Sequence, residues 1–124
     1  MKATQALIIA LAAALAAGKA QSHEVTARAA LGEKIEVTDG IVVEPQAVIE
    51  DSRCPMEVRC IAAGRVVLAA EVMAEGKARV VHLTAGAPQS VSGGMLVLQA
   101  VEPQRHVAAP APQDYRFSFA FLPL

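Results

Sequence analysis

The sequence is poor in aromatic residues and in cysteine. Its 124 residues include no tryptophan, one tyrosine, three phenylalanines and two cysteines. Aliphatic residues and methionine must therefore fill most of any hydrophobic core. The two cysteines also fall short of a structural zinc site, which needs four ligands at suitable spacing.

The chain also lacks an excess of basic charge. Its formal net charge is −1, from 11 lysines and arginines and 12 acidic residues. Without Lys2 and Lys19, which lie in the export segment described below, nine basic residues face twelve acidic ones. Nucleic-acid binding requires a basic face, so we expect no nucleic-acid partner.

No apolar run is long enough for a stable membrane span. Residues 6–17 form an uninterrupted apolar run of 12 residues, whereas a spanning helix needs about 20. Lys2 precedes this run and small and polar residues follow it, which is the layout of a secretory signal peptide. We expect cleavage after Ala20, or alternatively after Ser22. The sequence thus predicts a signal peptide over 1–20 and one periplasmic or secreted domain over 21–124, without a membrane span.

Cys54 and Cys60 are separated by five residues that include Pro55. In an exported chain, two cysteines at this spacing indicate a structural disulfide. In the loop-entropy model a ring of this size stabilises the fold by roughly 2 kcal/mol. A redox-active pair is the alternative, but exchange catalysts typically use Cys-x-x-Cys spacing.

Alternation of apolar and polar residues predicts strands through the rest of the chain. The clearest case is the last segment, where every aromatic residue of the protein falls on one face at a spacing of two. Pro45 lies inside the third segment and indicates an edge position or a bulge. We interpret 85–92 as turns and 103–113 as a loop. The predicted strands are 25–31, 34–37, 41–49, 65–73, 78–84, 95–101 and 115–121.

About seven short strands at regular spacing predict an all-β fold. The number favours an antiparallel, immunoglobulin-like β-sandwich held by one disulfide. A small β-barrel is the alternative. The strongest hairpin signal joins 65–73 to 78–84 through the polar connection 74–77.

The cysteine segment resembles a signature of small, uncharacterised exported bacterial proteins. That signature reads Asp-Ser-Arg-Cys-Pro, followed by Val-x-Cys-Ile/Val-Trp-Ala-Gly, and the residues that match it here are Asp51, Ser52, Arg53, Cys54, Pro55, Val58, Cys60, Ile61, Ala63 and Gly64. The pair Asp114–Tyr115 is also similar. The resemblance implies export, a disulfide and a β fold, but no reaction.

Ala62 departs from this signature, because the group carries tryptophan at that position. If the tryptophan covers the disulfide or fills the core, Ala62 leaves a hole that the chain must repack. If it is a binding contact, its loss alters the function.

The disulfide segment is also the leading candidate contact loop, with Asp51, Arg53, Pro55 and Arg59 as its candidate residues. Asp51 and Arg53 are expected to bond to the turn around the cysteines, because such residues beside a constrained loop commonly satisfy backbone groups.

The mature N-terminus offers a metal-binding alternative. Cleavage after Ala20 would expose Gln21, Ser22 and His23, whose amine, backbone amides and imidazole form a four-nitrogen plane that suits copper or nickel. Cleavage after Ser22 would place His23 first, with both its amine and imidazole available. His82 and His106 are isolated in the sequence, so whether they meet is left open.

No nucleophile and base can be paired from the sequence. The serines lack the Gly-x-Ser-x-Gly setting, and no phosphate-binding loop is present. We therefore expect a noncatalytic domain, without a cofactor, that binds an envelope protein or a small ligand or is structural in the cell envelope. The alternatives are a periplasmic copper- or nickel-binding protein and a loop binder of the protease-inhibitor type.

Overall fold

The structure, a computed structural model, describes residues 25–124. The predicted signal peptide, both cleavage positions and the metal ligand His23 lie outside the described residues and stay predictions. Within 25–124 the chain forms eight strands and a short 3₁₀ turn at Pro112–Asp114. The strands are β1 Val25–Ala29, β2 Ile35–Thr38, β3 Ile41–Asp51, β4 Val66–Ala74, β5 Lys77–Thr84, β6 Gln89–Val91, β7 Gly94–Glu102 and β8 Arg116–Pro123.

The strands form two antiparallel sheets of four strands each. One sheet has the order β1-β8-β7-β6 and the other has the order β2-β3-β4-β5. Each strand pairs with its sequence neighbour except at two steps, β1 to β2 and β5 to β6, where the chain passes between sheets. The expected all-β, two-sheet architecture with one disulfide is confirmed.

The strand order corrects both finer expectations about the fold. Immunoglobulin domains mix distant strands through Greek-key connections, whereas these two sheets are built from consecutive hairpins, with β1 added beside β8. In the described part of the chain, no hydrogen-bonded pairing joins β1 to β2 or β5 to β6. The sheets therefore remain open at both sides, and the barrel alternative is wrong.

The prediction of about seven strands missed β6. This strand has three residues, Gln89–Val91, and only Val91 among them is buried. A period of two cannot be recognised in so short a segment, and the glycines and Pro88 around it are typical of turns.

Pro45 occupies a central strand, so the edge position predicted for it is wrong, whereas the bulge is confirmed. β3 lies between β2 and β4, and its register with β4 shifts between Pro45 and Ala47. A bulge lets the strand pass the residue that lacks an N–H donor. The carbonyl of Pro45 accepts a hydrogen bond from Gly32 N at 2.7 Å.

The core lies between the inner faces of the two sheets. Alternate residues of each long strand point inward, which explains why the predicted aromatic row of β8 is buried. Burial of each large side chain contributes roughly 1.5–3 kcal/mol. The largest fully buried side chains include Phe117, Phe119, Leu68, Leu83, Leu96 and Leu98.

Candidate binding end of the sandwich

Two long connections meet at one end of the sandwich. Residues 52–65 join β3 to β4, and residues 103–115 join β7 to β8. Met56 N donates a hydrogen bond of 2.9 Å to the carbonyl of Arg105, which brings the two connections into contact. The predicted disulfide between Cys54 and Cys60 is present and closes the first connection into a ring. We call this region the loop end.

Arg53 fastens the base of the disulfide ring to the opposite sheet. Its Nε and Nη2 atoms donate to the two carboxylate oxygens of Asp51 at 2.8 and 2.9 Å. Its Nη1 atom donates to the carbonyls of Val101 and Pro103 at 3.1 and 3.0 Å. Such bidentate, charge-assisted pairs are the stronger class of hydrogen bond, so Arg53 links the end of β3 to the end of β7.

Tyr115 completes this cluster from a third element. Its hydroxyl donates to Oδ2 of Asp51 at 2.7 Å, while its ring stacks on Phe117 with centroids 5.6 Å apart. The carboxylate of Asp51 is 9% exposed and therefore held largely away from water. We call Asp51, Arg53 and Tyr115 the clamp.

The contacts within the clamp shift the pKa values of its members further from neutral pH. The hydrogen bond from Arg53 holds the pKa of Asp51 at about 2. Burial, and then the hydrogen bond to Asp51, raises the pKa of Tyr115 to about 12. The same carboxylate raises the pKa of Arg53. Hydrogen bonding to the charged carboxylate and desolvation of the phenol explain the two directions.

The clamp differs from the role expected for Asp51 and Arg53. Both were expected to bond to the turn around the cysteines, and their side chains instead bond to each other, to Tyr115 and to carbonyls at the end of β7. The sequence placed Tyr115 in the aromatic row of the last strand and in the Asp114–Tyr115 pair, and neither pattern indicated a partner for its hydroxyl.

Gly64 allows two segments of the backbone to approach closely at the base of the ring. Its φ is +70°, and a Cβ atom there would lie 1.7 Å from the carbonyl oxygen of Ser52. Nearby, Ser52 N donates to the carbonyl of Arg65 at 2.8 Å, and Cys54 N donates to that of Ala63 at 3.2 Å. Only glycine fits both the backbone angle and the space.

Glu57 forms a second link between the two connections. Its Oε1 atom lies 2.6 Å from Nδ1 of His106, and its Oε2 atom accepts a hydrogen bond of 2.8 Å from Val107 N. The Val107 amide, followed by His106, lowers the pKa of Glu57. His106 therefore has a carboxylate partner in the loop end, whereas His82 lies on β5.

Large hydrophobic side chains are exposed on both connections. Ile61 is fully exposed, and Met56 and Val107 are each 62% exposed. Together with Val58 they make up four of the nine large exposed hydrophobic residues of the described chain. We call Met56, Val58, Ile61 and Val107 the exposed apolar set. Exposed apolar side chains grouped in one region are typical of interaction sites.

The remaining candidate contact residues also lie in this ring. Arg59 is exposed, and within residues 25–124 it makes no hydrogen bond or ion pair. Pro55 is half-buried and its carbonyl accepts a hydrogen bond from Val58 N at 3.1 Å. Ala62 is exposed beside Ile61. Position 62 is therefore not part of the core, and alanine leaves no cavity there.

The depressions beside the loop end are small. One of about 220 Å³ lies next to Arg53 and Gly64, and one of about 280 Å³ lies next to Tyr115 and Pro112. Pockets for small organic ligands measure about 300–1,000 Å³. Residues 25–124 contain no group of three or more histidine, cysteine, aspartate or glutamate side chains placed to hold a metal.

Comparison of the chain with family models, curated proteins and solved structures finds no match. Over residues 25–124, no helix is long and apolar enough to cross a membrane.

Proposed function

We propose that this chain is an exported, noncatalytic domain of the cell envelope that binds a protein partner through its loop end. The observation that carries the proposal is the position of the exposed apolar set on connections that are cross-linked and hydrogen-bonded. Hydrophobic side chains on a fixed loop lose little conformational entropy on binding. Loops on a rigid β scaffold are also common binding elements.

A protein partner fits the loop end better than a small ligand does. The nearby depressions enclose less volume than most small-molecule pockets, whereas Ile61 and Met56 project from the surface. Projecting apolar side chains are suited to pockets on a partner, where a few buried anchors supply most of the binding energy.

The chemistry of the clamp supports a noncatalytic role. A general acid or base works best with a pKa near the operating pH. Asp51 and Tyr115 have pKa values of about 2 and about 12, on opposite sides of neutrality. Their polar atoms also bond to one another and to Arg53. The clamp therefore serves to position the loops.

The disulfide and the N-terminal sequence together support export. Disulfides persist mainly in oxidising compartments such as the periplasm or the extracellular medium. The pattern of residues 1–20 is that of a signal peptide.

A protease-inhibitor-like loop binder is the second candidate, and Arg59 favours it. This arginine is exposed and unpaired within the described chain, in a ring closed by Cys54 and Cys60. A fixed loop that presents an arginine suits the specificity pocket of a trypsin-like protease. Inhibition of such a protease that disappears in Arg59→Ala would support this candidate; absence of inhibition across a panel of serine proteases would exclude it.

Site-specific photo-crosslinking tests the main proposal. A photoreactive residue at position 61 should crosslink one partner in the cell envelope, whereas the same residue at position 122, on the outer face of β8, should not. Binding of the identified partner, measured with purified proteins, should weaken at least about tenfold in Ile61→Asp. Leu122→Asp, which also replaces an exposed apolar side chain, is the matched control. Equal crosslinking from both positions, or unchanged binding by Ile61→Asp, would contradict the proposal.

A further inference from the structure

The edge strand β5 lies at an opening between the two sheets. β5 and β6 follow each other in the chain, but they belong to different sheets and do not pair. β5 has eight residues, compared with five, four and three in the other edge strands β1, β2 and β6. An edge strand presents unpaired backbone groups, and β5 presents the longest such row in the described chain.

The hairpin geometry identifies the backbone groups of β5 that point away from β4. Ala74 and Lys77 face each other across the two-residue turn Glu75–Gly76, in which both residues have positive φ. Such a turn makes its flanking residues a hydrogen-bonded pair, and the pairs then alternate along the ladder. The N–H and C=O groups of Ala78, Val80 and His82 consequently face outward.

A groove lies along the inner side of this edge. It encloses about 490 Å³, and its lining includes the apolar side chains of Val72, Ala74 and Val91. Two cations, Lys77 and Arg79, and one carboxylate, Glu75, also line it. Nη2 of Arg79 donates to the carbonyl of Ser90 at 3.1 Å and so reaches across the opening to β6. The side chain of Lys77 forms no hydrogen bond or ion pair within residues 25–124.

The outer face of the same edge carries exposed apolar side chains beside the polar residues Glu71 and His82. Val80 is 55% exposed, and Met73 of β4, the register partner of Ala78, is 39% exposed. β5 therefore combines three features: outward backbone groups, cations on its inner face and apolar side chains on its outer face.

We propose that β5 accepts an extended acidic segment of a partner protein as an added strand. The backbone of the segment would bond to Ala78, Val80 and His82, as in other cases of strand addition. Successive side chains of a strand point to opposite faces. Acidic side chains at every second position would therefore meet Lys77 and Arg79 at the groove, and apolar side chains between them would pack on Val80 and Met73.

Charge distinguishes this occupant from a second copy of the chain. Antiparallel pairing of two β5 strands about Val80 would place Arg79 of one copy diagonal to Arg79 of the other, on the same face. Like charges that lie so close together on neighbouring strands destabilise a sheet. Charged side chains on edge strands are a common protection against self-pairing. An acidic segment turns the same charges into attractive contacts.

The probe for this proposal is the blocked peptide Thr-Val-Glu-Val-Glu-Val-Thr, titrated into the isotope-labelled domain and followed by amide NMR. The largest shifts should fall on Ala78, Val80 and His82. The peptide with lysine in place of glutamate should bind at least about tenfold more weakly, because it repels Lys77 and Arg79.

Two sets of variants locate the contact. The double variant Lys77→Glu with Arg79→Glu should weaken binding of the acidic peptide at least about tenfold. Arg28→Glu with Arg59→Glu makes the same change of charge away from this edge, on β1 and in the connection 52–65, and should bind as the parent does. Val80→Pro removes an outward N–H and should abolish binding; the charge variants keep the test decisive if that change unfolds the domain.

Three results would overturn the proposal. The first is equal binding of the acidic and basic peptides. The second is a set of shifts confined to the loop end, residues 52–65 and 103–115. The third is concentration-dependent dimerisation through β5 without peptide, which would identify a second copy as the occupant. Ile61→Asp should leave peptide binding unchanged, so this result is independent of the outcome at the loop end.

Discussion

The hydroxyl of Tyr115 donates a 2.7 Å hydrogen bond to Oδ2 of Asp51, joining residues 64 positions apart in the chain. The other side of the carboxylate is held by Arg53, which also bonds to carbonyls of Val101 and Pro103. Three side chains thus connect the ends of β3 and β7 with the residue that precedes β8. The shape of the loop end depends on this polar cluster as well as on the core.

The clamp should make stability fall in acid. The pKa of Asp51 is lowered from 3.8 to about 2 in the folded protein, so its contribution is complete above about pH 4 and is lost as the pH falls towards 2. The shift corresponds to about 2 kcal/mol. Urea denaturation of the parent and of Asp51→Asn between pH 2 and 6 measures it. If the difference in unfolding free energy between the parent and Asp51→Asn did not shrink in acid, the lowered pKa of Asp51 would be wrong.

Tyr115 should make stability fall in alkali. Its pKa is raised from 10.0 to about 12, so the stability that it contributes is complete below about pH 10 and is lost as the pH rises towards 12. Ultraviolet titration of the phenolate checks the pKa, since this is the only tyrosine. Tyr115→Phe keeps the ring beside Phe117 but removes the donor, which should cost about 1–3 kcal/mol at neutral pH and raise the pKa of Asp51.

Gly64→Ala should destabilise the protein strongly. The added Cβ would lie 1.7 Å from the carbonyl oxygen of Ser52, which is backbone and cannot rotate away. We expect a loss of at least about 2 kcal/mol of unfolding free energy. Gly40→Ala is the matched control, because Gly40 also has positive φ but has nothing within 4 Å of its Cβ position. Equal losses in thermal denaturation would show that the close approach is unimportant.

Removal of the disulfide should affect the loop end more than the sheets. Replacement of Cys54 and Cys60 by serine should lower stability by roughly 2 kcal/mol, because the ring no longer restricts the unfolded chain. Hydrogen exchange should become faster at the amides of residues 54, 56 and 58 under native conditions, whereas the inner strands β3 and β8 should exchange only by global opening. Uniformly faster local exchange across both sheets would contradict this separation.

Ala62→Trp should be tolerated by the fold. Ala62 is exposed beside Ile61, so the larger side chain would lie at the surface, where substitutions usually change stability by less than about 0.5 kcal/mol. Thermal denaturation measures this, with core Ala70→Trp as the disruptive comparison. A loss of more than about 2 kcal/mol would mean that position 62 packs against the domain.

Local patterns predicted most of the individual strands. Period-two alternation located seven of the eight strands, and the turn residues Glu75 and Gly76 marked the hairpin between β4 and β5. Such patterns could not predict the strand order, because the pairing partners are selected by long-range packing. The alternating pattern of β1 was visible, but nothing local identified β8 as its partner. For the same reason, Pro45 indicated either an edge position or a bulge, and only the pairing of β3 with both β2 and β4 distinguishes the two.

The candidate site was predicted only where its contacts are local. The disulfide between Cys54 and Cys60 could be inferred from a spacing of six positions in the chain. The partners of Asp51 and Glu57 could not, since Tyr115 and His106 reach them from another connection. Those contacts exist only after the two sheets have packed and brought residues 52–65 and 103–115 together.

The pairing of β1 with β8 also determines when the fold can be completed. β2 to β5 pair as successive hairpins and can form as soon as each has been synthesised, whereas within residues 25–124 the only sheet partner of β1 is the last strand, β8. Contacts between residues so distant in sequence form late because of the entropy of closing the chain. An incomplete chain therefore carries β1 as an unpaired strand, so any factor that protects nascent polypeptides would be needed longest at Val25–Ala29.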